Sequence, residues 1–274
     1  RWSVITHFNL LTNPLMFRIY SNFFLNERGQ YKRLDFYNKA GVAIENSWKI
    51  ANYSWQYQDD GSVIESRFSL KGELQTHRPG FEFKRIRLVF DSRGHLSLMQ
   101  NLNESHKLLE SKSGAAQYRY FYQASGTFHR WEIYDANGKP ALGPTGTAGE
   151  QYANDFMNQR KIAFFDTQGK PSLHASGAAY WILQYDHFGN VSELSLYDVN
   201  EKLTVGVQGF ARLRYYWGGT GLNLLRKDYL DTRGRLKNTR DGLARIEYPR
   251  DQKGEVLSEL KYDETGKLLV DGEG

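Results

Sequence analysis

The chain has 274 residues, 40% of them hydrophobic and 24% charged, with 26 Gly, 6 Pro and no Cys. This apolar content excludes a disordered chain, and the lack of cysteine excludes disulfides, thiolate metal sites and a Cys nucleophile. A net charge of +5 spread over this length predicts a mild preference for acidic surfaces and no nucleic-acid partner.

Residues 1–16 are expected to cap the chain or to end an earlier repeat, and the first full strand is expected within Phe17 to Leu25. From there one pattern recurs: an aromatic residue or Leu, usually Asp, two variable residues and Gly. A first series of turn glycines falls at Gly29, Gly61, Gly94, Gly126, Gly189, Gly221 and Gly254, spaced 32 or 33 residues apart except for one double interval in which Asn158 holds the empty slot. A second series follows at Gly41, Gly72, Gly138, Gly169, Gly234 and Gly266, with His106 and Glu201 in its two gaps. A fixed period of this length marks a repeat array. Eight copies are therefore expected over residues 17–274, as a single domain.

Within each copy the sequence reads as strand, turn, strand, turn and short strand. Tyr118, Tyr120 and Tyr122 share one parity ahead of the first turn, and Ala211, Leu213 and Tyr215 repeat this with Arg212 and Arg214 on the other. That alternation predicts strands with one buried face. A second strand runs from Thr127 to Tyr134 and from Asn190 to Tyr197. It ends on a column formed by Tyr37, Phe68, Leu102, Tyr134, Phe165, Tyr197, Leu230 and Tyr262, which is expected to be the core. Stretches such as Gly138 to Leu142 and Gly169 to Leu173 predict a short third strand, with Pro140 and Pro171 at its edge. A loop with its own glycine, such as Gly146 or Gly177, then leads to the next copy. The predicted class is all-β, an elongated or spiralling sheet built from about eight antiparallel meanders.

The strings Tyr262-Asp263-Glu264-Thr265-Gly266-Lys267-Leu268, Leu230-Asp231-Thr232-Arg233-Gly234-Arg235-Leu236 and Tyr185-Asp186-His187-Phe188-Gly189-Asn190-Val191 resemble the YD repeat of bacterial Rhs-type and wall-associated proteins. The resemblance covers nearly the whole chain. It implies a stacked antiparallel sheet on a secreted or surface protein, acting as a shell around toxin domains or as an adhesive, carbohydrate-associated surface.

The polar residues give little sign of catalysis. Asp91, Asp135, Asp166, Asp186, Asp198, Asp231 and Asp263 all begin turns, where a carboxylate accepts backbone N–H bonds. The seven His are scattered without metal-ligand spacing. Gly218-Gly219-Thr220-Gly221 lacks the Lys and the helix of a phosphate loop and reads as a loosened turn. No catalytic residue, metal or cofactor is expected. Departures from the repeat are the better clue. Copy five loses its first turn near Tyr152 and Asp155, and copy three places His106 where Gly is usual. Trp131, Trp181 and Trp217 lie off the main columns and could stack on sugars. These six residues form the expected binding surface.

The expected function is a non-enzymatic extracytoplasmic scaffold, in the periplasm, at the cell surface or secreted, that binds a protein or polysaccharide. It would form part of a larger secreted or membrane-attached protein. The alternative is a carbohydrate-active enzyme whose carboxylates come from different repeats. No apolar run approaches the roughly 20 residues that span a bilayer, so membrane attachment would have to come through flanking sequence.

Overall fold

A computed structural model describes residues 20–78, 80–154 and 159–269. Contacts divide the chain into two compact units, one holding the chain up to Val89 with Asn101–Lys107 and the other holding Phe90–Gln100 with Leu108 onward. The fold is all-β, an array of antiparallel meanders, with no helix among the described residues. The expected cap at residues 1–16 lies outside the described residues.

The first unit carries β1 (Tyr20–Leu25), β2 (Tyr31–Tyr37), β3 (Asn52–Tyr57), β4 (Val63–Phe68) and β5 (Arg85–Phe90), each paired antiparallel with the next. In the second unit the ladder runs from β6 (Leu96–Leu102) through β7 (Gln117–Tyr122), β8 (Phe128–Tyr134), β9 (Gly149–Asn154), β10 (Gln159–Phe165), β11 (Tyr180–Tyr185) and β12 (Val191–Tyr197). It continues through β13 (Arg212–Trp217), β14 (Leu224–Leu230), β15 (Arg245–Glu247), β16 (Leu260–Tyr262) and β17 (Leu268–Leu269), again antiparallel.

The turns follow from their residues. In a typical one, the N–H of Gly189 donates to the carbonyl of Asp186 at 3.0 Å, while the N–H of Asp186 reaches Asn190 O at 2.8 Å. Gly189 takes φ +85°, and the ladder slips by one residue between Gln184 and Tyr185. This is a tight turn closed by a left-handed residue and a bulge, a common hairpin solution that glycine enters without steric cost. The Asp carboxylate completes it: Asp186 Oδ1 accepts from the N–H groups of Phe188 and Asn190, both at 2.9 Å. The other six turn aspartates do the same. Asn26, Asn38, Asn46 and Asn103 fill the same role with an amide oxygen.

Two expectations need correction. The third strand is not a strand in copies one to seven: after the second turn the chain makes one isolated bridge, such as Tyr134 to Pro140 or Phe165 to Pro171. Proline has no N–H with which to extend that ladder. The segment instead crosses the preceding strand, with Ala141 N–H on Ile133 O, Ser172 on Phe164 and Thr204 on Leu196. It then closes a third tight turn of the same type, in which Lys49, at φ 61°, takes the place held by Gly146 or Gly177 elsewhere.

The core is also one residue away from the expected column. Phe36, Ile133 and Phe164 are 1% exposed and Leu196 is 3%, each immediately before a member of that column. Adjacent residues on a strand point to opposite faces, and the crossing segment covers only the face that carries Phe36, Ile133, Phe164 and Leu196. Between them sit alanines, Ala148, Ala179, Ala211 and Ala244, all nearly inaccessible. Each donates its N–H to its own copy and accepts from the copy before, as Ala148 does with Phe165 O and Ile133 N–H. The aromatic column lies on the other face among charged groups. The guanidinium of Arg119 stands 3.9 Å over the Tyr134 ring and that of Arg130 stands 4.4 Å over Phe165, contacts typical of cation–π pairing.

Candidate functional site

The six residues singled out in the sequence do not converge. His106 is exposed at a turn with φ 61°, its N–H on Asn103 O at 3.1 Å, and so substitutes for glycine. Trp181 donates its indole N–H to Ser176 Oγ at 3.1 Å and packs edge-on against Phe164 and His174. Trp217 donates to Val191 O at 2.8 Å. Only Trp131, on β8, and Tyr152, on neighbouring β9, come together, because Trp131 pairs in register with Glu150 and Tyr152 follows two residues on. Both donate to Glu150 Oε2, Trp131 at 3.1 Å and Tyr152 by a very short contact. Burial, reinforced by the Glu150 charge, pushes the Tyr152 hydroxyl well above its ordinary range. All three indoles are half-buried with the N–H engaged. Asp155 and Asn158 lie outside the described residues.

On the opposite face, a cavity of about 60 Å³ opens between copies four and five, lined by Arg130, Glu132, Tyr134, Pro140, Phe165 and Asp166 among others. Gly149 makes room for it: a Cβ there would lie 2.2 Å from Trp131 O and 2.5 Å from the Phe165 ring. The volume suits a few waters. Neighbouring guanidiniums lie over the Tyr134 and Phe165 rings.

Copy two contains a departure that the sequence reading passed over. On β4 the core parity carries Glu65 and Arg67 where β2 carries Leu34 and Phe36 and β12 carries Leu194 and Leu196. Glu65 and Arg67 form a buried ion pair, at 5% and 4% side-chain exposure. Trp55 donates to the same carboxylate at 2.7 Å, and Arg67 stands 5.1 Å over Tyr53. Arg67 Nε and Nη1 and His77 Nδ1 are buried without a hydrogen-bond partner. Burial, with Arg67 and Arg78 nearby, pushes the His77 imidazole down to about 3. The signal was legible: a charged pair breaks the alternation of Val63-Ile64-Glu65-Ser66-Arg67-Phe68.

The basic stretch toward the end is a neutralised lattice. Glu193, Arg214, Asp228 and Arg245 stand opposite one another across β12, β13, β14 and β15. Arg214 reaches Glu193 at 2.8 Å, Arg245 reaches Asp228 at 2.8 Å, and Arg226 adds a third contact to Asp228 at 3.2 Å. These carboxylates are committed to cross-strand pairing. Among the described residues no group of three His, Asp or Glu is placed to hold a metal ion.

No protein-family profile and no curated protein matches the chain. Among solved structures it is similar to the TcdB2-TccC3 crystal structure, at 12% identity and TM-score 0.28, covering 88% of this chain and 13% of that one. It is also similar to the Photorhabdus luminescens Tc holotoxin pore, at 10% identity and TM-score 0.28, covering 89% and 14%. A Bacteroides caccae protein of unknown function aligns at 10% identity and TM-score 0.15, covering 87% and 74%. The chain thus spans about a seventh of the two Tc chains. The fold described above rests on its own hydrogen bonds.

Proposed function

We propose that this chain is a non-enzymatic β-repeat scaffold, working outside the cytoplasm, whose eight copies present an extended surface to a protein partner. The observation that carries this reading is how the carboxylates are used. The turn aspartates are bound to backbone N–H groups, and Glu65, Glu193 and Asp228 are held by arginines. Groups that might act as acids, bases or nucleophiles are spent on building the array. The cysteine-free composition suits an oxidising compartment. The neighbourhood of Trp131 and Tyr152 is the proposed centre of the contact surface, since there the repeat rule is relaxed on two adjacent strands.

The test is cell fractionation of the source organism, followed by cross-linking of the native envelope or secreted fraction. The expected outcome is recovery outside the cytoplasm and one recurrent protein cross-linked near β8 and β9. Recovery from the cytoplasm, or steady hydrolysis of a polysaccharide by the purified chain, would overturn the reading.

A further inference from the structure

The first turns of the last three copies differ from those before them. In copies three and four the tips are polar or small, Ser92-Arg93 and Ala124-Ser125. In copy six the tip is His187-Phe188. In copy seven the turn is one residue longer than the rest, Gly218 N–H bonding Asn223 O at 2.8 Å, and it carries Leu222 outward. Leu222 is 82% exposed, Leu257 of copy eight 66% and Phe188 48%, with Leu225 and Val256 also exposed.

These tips form one patch. The Phe188 ring lies against Gly221, where a Cβ would meet it at 2.5 Å, and Asn190 Nδ2 donates to Gly221 O at 2.8 Å. Arg250 Nη2 donates to Leu224 O at 3.1 Å, which ties copy eight to copy seven. Leucines held outward on a glycine turn are costly to leave in water, so an occupant is required.

We propose that the row of first-turn tips in copies six to eight is a peripheral membrane contact, with Leu222, Leu257 and Phe188 entering the headgroup boundary of an anionic lipid surface. Size separates this from a protein interface. Four or five projecting side chains offer a few hundred Å², whereas a stable partner takes about 800 Å² from each side. Insertion of tips into a bilayer needs no matching surface. Charge supports it as well. Residues 208–250 contain ten Lys and Arg against four Asp and Glu, a net of +6 where the whole chain carries +5. Arg226, Arg250 and Lys253 stand nearest the tips, and the acidic groups among them are Asp186, Asp251, Glu247 and Glu255. Asp186 and Asp251 are turned inward onto backbone N–H groups. Net basic charge adds attraction to anionic lipid.

The test is co-sedimentation of the full chain with vesicles of phosphatidylcholine, with and without phosphatidylglycerol. Binding is expected only with the anionic lipid and should weaken with salt. A Leu222→Asp, Leu257→Asp double variant should bind at least about tenfold more weakly, while Ala124→Asp binds normally. Lys253→Glu should cost about fivefold or more. Leu222→Trp should give a blue-shifted emission on adding anionic vesicles. Because these side chains are exposed, circular dichroism should be unchanged in every variant. The proposal fails if anionic vesicles do not sediment the chain or if the double variant binds as well as the parent. It fails equally if sedimentation velocity shows self-association without lipid that the double variant abolishes.

Discussion

At single residues, the array rewards whatever can hold a left-handed backbone and punishes any atom added where strands close on one another. His106 and Glu201 sit at φ 61° and 58°, a conformation that costs a side chain about 1 kcal/mol relative to glycine. His106→Gly should therefore stabilise the protein by about that amount, read as a rise in the denaturant midpoint. Gly149→Ala should do the opposite: its Cβ would overlap Trp131 O and the Phe165 ring, a loss of about 2 kcal/mol or more. Asp135 accepts from Asn137 and Lys139, both at 2.8 Å. Asp135→Ala should cost about 1 kcal/mol, and Asp135→Asn little, since Asn103 already performs that task.

At the level of elements, β4 is the strand under most tension between what it buries and what it is made of. Glu65→Gln leaves the Arg67 guanidinium buried without its counter-charge and should destabilise by about 3 kcal/mol or more in equilibrium unfolding. The His77 imidazole is held neutral down to about pH 3, whereas an unfolded imidazole protonates near pH 6.5. Between those values the unfolded chain carries the extra proton, so stability falls as pH falls from about 6.5 toward 3, by at most about 1.4 kcal/mol per unit. His77→Phe should flatten that slope in urea titrations at several pH values. An unchanged slope would show that the proton goes elsewhere.

What could be read from the sequence at this scale was the spacing. Glycine and aspartate dictate turns through local geometry, which needs no knowledge of neighbours, and the turn aspartates behave as their spacing implies. The core column was misplaced by one residue because parity says that two faces exist without saying which one the return segment will cover. Tyr134 and Ile133 are equally good strand residues, and only the crossing of Ala141 over Ile133 decides between them. The convergence of Trp131 and Tyr152 on Glu150 likewise depends on cross-strand register, which repeat spacing alone leaves open. The buried pair on β4 was overlooked because attention went to missing glycines rather than to broken alternation.

At the scale of the molecule, protection should follow burial. Ala179 and Ala211 are fully inaccessible and sit in complete ladders, whereas every residue of β1 is exposed and β15, β16 and β17 are only two or three residues long. Amide hydrogen exchange should be slowest around β11 to β13 and fastest at β1 and β17. Uniform exchange along the chain would mean a more cooperative structure than these contacts imply.

The third turns carry a second seam beside the strand ladder. Ala175 N–H bonds Thr145 O, Val207 bonds Ser176 and Arg240 bonds Gln208, each across one copy at 2.8 or 2.9 Å. A copy is thus buttoned to its neighbour twice, at points a fixed number of residues apart. The chain can therefore change length only in whole units: removing residues 180–211 would let both rows of buttons meet again, and removing half as many would leave one row without its holes. Such an array can grow by duplication and shrink by clean excision, and it resists the single-residue insertions that ordinary loops absorb.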